Sequence, residues 1–221
     1  MTQNAVLSHS KTKEKLVKVY QYVGASLLAA TAGAYLGTQF APAITGAVYW
    51  GAIILEFVFL ISLLVARKAQ AETGLAIFLL FGFTFLSGVV LGPTFAILLA
   101  TPTGAQILIN TLLTTGIVVG GLSVFAMTTK KDFTVFSQIM FIALLGLVAL
   151  SIINLFMHNP IMQMVIAWAG VVIFGGYLVI DTQRLLKEDY RSPIHMAASL
   201  YLDILNIFLS LLQIFMGNSR D

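Results

Sequence analysis

The chain has 221 residues, 59% hydrophobic and 10% charged, with twelve Lys or Arg, nine Asp or Glu, three His and no Cys. Soluble domains are roughly 45–50% apolar and about 25% charged, so this composition excludes a water-soluble globule and points to an integral membrane protein. The absence of cysteine excludes disulfides, thiolate catalysis and cysteine metal sites, and the net charge of +3 is explained by membrane topology rather than by nucleic-acid binding.

Seven apolar segments are long enough, at about 20 residues, to cross roughly 30 Å of hydrocarbon. A polar lead over 1–19, carrying Lys11, Lys13, Lys15 and Lys18, reads as a cytoplasmic tail before a retained first span over 20–41. Span 2, 47–66, has Glu56 in its middle and ends at Arg67 and Lys68. Span 3, 75–99, contains Gly88 and Gly92 at a spacing that lets helix backbones approach, and Gly92-Pro93 predicts a kink or hinge. A bend made only for packing is the plainer reading of those two residues. Span 4, 105–127, repeats the small-residue spacing at Gly116 and Gly120 and is followed by Lys130 and Lys131. Span 5 covers 134–157, span 6 covers 161–183 and span 7 covers 197–216. Residues 20–221 contain no linker and read as one seven-helix transmembrane domain.

Arg184, Lys187 and Arg191 follow span 6, whereas the turns near 42–46, 100–104 and 158–160 contain no Lys or Arg. Eleven of the twelve basic residues therefore fall on one side, Arg220 being the exception. By the positive-inside rule that side, with the N-terminus, is cytoplasmic.

Asp181 and Asp203 stand out within this apolar background. They are equidistant from residue 192, beside Pro193 in the turn between spans 6 and 7, so a helical hairpin puts them at the same depth. An ionisable side chain in a span costs roughly 2.5–3.5 kcal/mol on insertion scales, which marks the pair as functional. Carboxyls that close resist simultaneous ionisation and share a proton instead, as a proton-sensitive switch requires. Asp203, Asn206, Ser210 and Gln213, at offsets of 0, 3, 7 and 10, form a polar stripe that is expected to turn away from lipid, making span 7 the central helix. Interhelical hydrogen bonding alone would explain the last three but not a carboxylate.

Four stretches carry a family resemblance: Ser87-Gly88-Val89-Val90-Leu91-Gly92-Pro93, the run from Ser123 to Phe133, Gly176-Tyr177-Leu178-Val179-Ile180-Asp181-Thr182-Gln183, and the run from Ala198 to Phe208. Together they resemble the Bax inhibitor family, from about residue 20 to the end. The resemblance implies an all-α integral membrane protein of seven transmembrane helices with the C-terminal helix central. It further implies a pH-sensitive calcium leak gated by an aspartate pair matching Asp181 and Asp203, with a helix-2 arginine, here Arg67, as sensor partner. The short loops are like those of bacterial members, which implies a bacterial inner membrane.

Geometry adds Arg184, three residues beyond Asp181, as a competing partner. Glu56 lies about 16 Å along the helix from Arg67, where a cation entering from outside would meet a first ligand, unless it is simply a neutral carboxyl hydrogen-bonded between helices. Carboxylate oxygens suit calcium, so Asp181, Asp203 and Glu56 are candidate transient ligands, with Asn206 beside the pathway. No resident cofactor is expected; calcium is the permeant ion and the lipid bilayer the standing partner. An alternative, implied by some bacterial relatives, is a regulatory protein that binds a membrane-anchored ATP-dependent protease. An intramembrane aspartyl protease fits poorly, because its Tyr-Asp and Gly-x-Gly-Asp patterns are replaced by Ile180-Asp181 and Leu202-Asp203. No glycine-rich phosphate loop is present, so ATP-driven pumping is not expected, nor is enzymatic activity.

Overall fold

The computed structural model describes residues 3–65, 73–187 and 192–218, with side chains from residue 14 onward. Every long element is helical: α1 (Gln3–Gln39), α2 (Gly46–Val65), α3 (Gly74–Leu99), α4 (Pro102–Thr128), α5 (Ser137–Met157), α6 (Pro160–Leu186) and α7 (Pro193–Asn218). One 3₁₀ turn, Thr134–Phe136, leads into α5. Local chemistry sets several helix starts. The Thr73 hydroxyl accepts from the Ala76 N–H to open α3, and Asn159 caps the first turn of α6 ahead of Pro160. Both replace the bonds that the first helical N–H groups lack, and proline at the first position gives up a donor that would be idle anyway.

Helices α2 to α7 are each long and apolar enough to cross a membrane, so the protein is an all-α, multi-pass membrane protein. Span 1 is the difference from expectation. Its helix begins at Gln3 and includes the polar lead, and its Ala, Gly, Thr and Tyr content leaves it less apolar than the other six. α7 is the most buried of the six apolar spans, at 44% of its window. The chain divides into two units, Met1–Thr101 with Glu188–Tyr201, and Pro102–Lys187 with Leu202–Asp221.

In the first unit α1 lies directly on α3. A methyl added to Gly33 would strike the Phe85 carbonyl, and one added to Gly88 would strike the Ala30 carbonyl. Backbone touches backbone because neither helix presents a side chain there. The same contact explains why α3 runs unbroken through Pro93, where an interruption was expected. Proline removes the donor to the Val89 carbonyl. That carbonyl faces Gly37, whose added methyl would come within 2.5 Å of it, and the Thr38 hydroxyl reaches the Gly92 carbonyl at 3.4 Å. The neighbouring helix covers the defect.

In the second unit the glycine reading fails at one place. Methyls added to Gly116 and Gly120 would meet nothing within 4 Å, so among the described residues no helix backbone packs on them. The spacing permits close approach, but no complementary small-residue face comes opposite.

Candidate functional site

Helix α6 brings Asp181 inward and α7 brings Asp203, both within the second unit. Two contacts fix the register between these helices. Gly170 sits against the Ser210 hydroxyl, and Gly217 against the terminal methyl of Met164. Carried toward the α6–α7 turn, that antiparallel register brings the two aspartates to within about one helical turn of the same level. They are 3% and 5% exposed, and Asp203 feels the charges of both Asp181 and Arg184. One carboxylate oxygen of Asp203, Oδ2, is buried with no hydrogen-bond partner among the described residues.

Arg184 is the partner observed at this site. Its Nη1 donates to Asp181 Oδ1 at 3.1 Å and its Nη2 to the Ser137 hydroxyl at 3.0 Å, while that hydroxyl donates to the Thr134 carbonyl. The guanidinium therefore links the dyad to the start of α5. Its side chain is 35% exposed, so the arginine end of the pair reaches the protein surface and the carboxylate end does not. Arg67 lies outside the described residues.

Two neighbouring residues carry chemistry that acidic and basic side chains alone do not reveal. Tyr177, one turn before Asp181, lies within electrostatic reach of Asp181, Asp203 and Arg184. Gln183 is buried and clamps the α4–α5 connector: its Nε2 donates to the Lys131 carbonyl and its Oε1 accepts from the Phe133 N–H, both at 2.8 Å. Both residues stood in the stretch that ends at Gln183. A tyrosine at i−4 from a buried acid was the available signal for the first; no local signal marked the second.

The polar stripe of α7 is partly confirmed. Asp203 and Ser210 are buried and Asn206 half-buried, its Nδ2 donating to the Leu202 carbonyl at 2.8 Å on its own helix. Gln213 is exposed, contrary to expectation. It lies about 80° round the axis from Asp203 and near the end of the helix, so it leaves the buried face.

Glu56 is half-buried in the first unit, and its nearest chemistry is a different cluster. Its charge acts on Tyr201, whose buried hydroxyl is hydrogen-bonded to Ser87 and lies 3.5 Å from the Thr84 carbonyl. Among the described residues no three His, Cys, Asp or Glu side chains gather to hold a metal ion. Outside the spans, Asp132 is bonded to Lys187 at 2.6 Å and to Thr134, contacts that hold its carboxyl down at about 2.

Residues 12–221 match the family described as inhibitor of apoptosis-promoting Bax1. An uncharacterised protein of Campylobacter jejuni is 41% identical over 92% of this chain and 88% of its own length. One from Helicobacter pylori strain J99 is 40% identical over 96% and 90%. An uncharacterised membrane protein of Vibrio cholerae is 34% identical over 61% of this chain and 60% of its own length.

Proposed function

The chain belongs to the Bax inhibitor family, and from that premise we propose that it is a passive, proton-sensitive calcium leak rather than an enzyme, with Asp181 and Asp203 as the sensor. The observation that carries the reading is the pair itself: two buried carboxyls on neighbouring helices, with Asp203 Oδ2 buried and unbonded. With one shared proton the pair holds α6 and α7 together through a charge-assisted hydrogen bond. Loss of that proton leaves two like charges in a low dielectric, and gain of a second removes the charge that strengthens the bond. Either change biases a packed two-state element, so opening follows a titration that belongs to the pair rather than to one residue. Arg184, bonded to Asp181 at 3.1 Å, gives that carboxyl a cationic partner.

Glu56 in the first unit and Asn206 in the second are each a candidate single oxygen ligand for a passing cation, and Arg67 is a candidate second cation for the sensor. Calcium passes these oxygens one at a time, which suits a leak better than a tight site. We take the membrane as a bacterial inner membrane, on the resemblance of the short loops to those of bacterial members, and the N-terminus as cytoplasmic, on the distribution of lysine and arginine. Single cysteines at Ser8 and Ser219 are then labelled by an impermeant thiol reagent from opposite sides.

Calcium flux into liposomes containing only this protein, measured from pH 5 to 8, tests the function. Parent protein conducts with a steep pH dependence; Asp181→Asn and Asp203→Asn insert normally and conduct with a flattened one. Full retention of the parent profile by both variants removes the dyad from the mechanism. A midpoint unmoved in Arg67→Ala removes that arginine.

A further inference from the structure

The second unit contains a groove of about 670 Å³ between α4, α5 and α6 that the dyad does not use. Every residue lining it is apolar, among them Gly121, Phe125, Phe133, Met140, Gly176 and Ile180. Water there would find no polar partners, so the space suits hydrocarbon. The outer walls are exposed at Ile139 and Val172, which opens the groove to the bilayer. Its floor is bare at Gly121, where an added methyl would meet nothing within 4 Å.

One end of the groove is charged. Phe133 and Phe136 close that end in an aromatic chain with Phe125, with ring centroids 5.5 Å and 6.2 Å apart. The connector that carries Phe133 also carries Lys130 and Lys131, both exposed and neither in an ion pair among the described residues. The third cation nearby, Lys187, is already held by Asp132 at 2.6 Å, which also neutralises the one acid in the connector. Gln183 pins the connector on both sides of Asp132, at Lys131 and at Phe133, so the lysines stay beside the mouth. From the end of α4 at Thr128 to the lining residue Ile117 is about 16 Å along the helix. That is roughly half of the ~30 Å hydrocarbon core, the depth of one leaflet.

We propose that this groove holds an acyl chain of an anionic phospholipid whose phosphate rests on Lys130 and Lys131. A neutral lipid satisfies the groove but not the lysines, and a free phosphate satisfies the lysines but not the groove. The site is independent of the dyad and of the leak.

Native mass spectrometry and thermal unfolding of the full chain in mild detergent test it, with phosphatidylglycerol and phosphatidylcholine as probes. The parent retains one phosphatidylglycerol with a roughly tenfold to thirtyfold preference, as two lysines at a phosphate would give. The preference falls to parity in Lys130→Gln/Lys131→Gln, a surface change that leaves the fold alone. Gly121→Phe fills the floor and abolishes retention of both lipids. Equal retention of the two lipids by the parent overturns the proposal, as does undiminished retention by Gly121→Phe. Inorganic phosphate that matches the stabilisation by phosphatidylglycerol overturns it by showing a headgroup site alone. A dimer that dissociates when the groove is filled overturns it in favour of a second copy of the chain.

Discussion

The two units use the same residue types in opposite ways. In the first, Gly33, Gly37, Gly88 and Gly92 let α1 and α3 come together until backbone meets backbone, and polar groups such as Thr38 serve to cover carbonyls. In the second, methyls added to Gly116, Gly120 and Gly121 would meet nothing within 4 Å, Gly121 lines a groove, and the buried polar groups include the carboxyls of Asp181 and Asp203. The difference teaches that glycine spacing fixes only what a helix can tolerate. A small-residue face becomes a contact when the partner helix presents another, and becomes a cavity when the partner presents Phe, Met and Val.

Five substitutions sharpen or break this contrast. The largest effect is expected at the α1–α3 contact: Gly88→Leu drives a side chain into the Ala30 carbonyl and costs more than about 3 kcal/mol, the upper range of overpacking. Gly116→Leu, at the same spacing in the other unit, leaves the thermal midpoint in detergent within a few degrees of the parent. Equal damage from the two would mean that α4 is as tightly packed as α3.

Arg184→Ala comes next. It takes the ion-pair partner from a buried carboxylate, and because the arginine is a third exposed, the loss falls between the limits for surface and buried pairs, roughly 1–3 kcal/mol. Calcium flux should change its pH profile in the same variant, which separates a role at the sensor from simple loss of stability. Gln183→Ala deletes two hydrogen bonds to the connector and costs about 2 kcal/mol at about 1 kcal/mol each. Hydrogen exchange at Lys131 and Phe133 should rise with it, while the α1–α3 contact stays protected.

The smallest effect lies at the surface. Asp132 has its folded value at about 2, below the ordinary ~3.9, so its pairing stabilises the protein fully above the ordinary value and is lost as pH falls through about 2. Lys187→Ala removes most of that dependence. The midpoint of the variant should therefore fall less than the parent's between pH 4 and pH 2, with only a slight difference at neutral pH because the pair is exposed.

The sequence by itself determined that the chain is helical and membrane-spanning, because unbroken apolar runs of about 20 residues have no other stable home. It placed α2 to α7 within a few residues, since proline, capping residues and charges punctuate their ends. It also put Asp181 and Asp203 near one level, because a short turn leaves a hairpin little room to slide, and the contacts of Gly170 and Gly217 set the two about one helical turn from equal depth. Arg184 was legible for the same local reason, lying one turn from Asp181. Tertiary structure alone decided the rest. Whether Gly116 would be covered, whether Gln213 would be buried, which cluster Glu56 would join and how Gln183 would pin a connector about fifty residues away all depend on the face another helix presents. Periodicity records which side of a helix is apolar or small; it carries no record of the neighbour, and contact energies are set between the two.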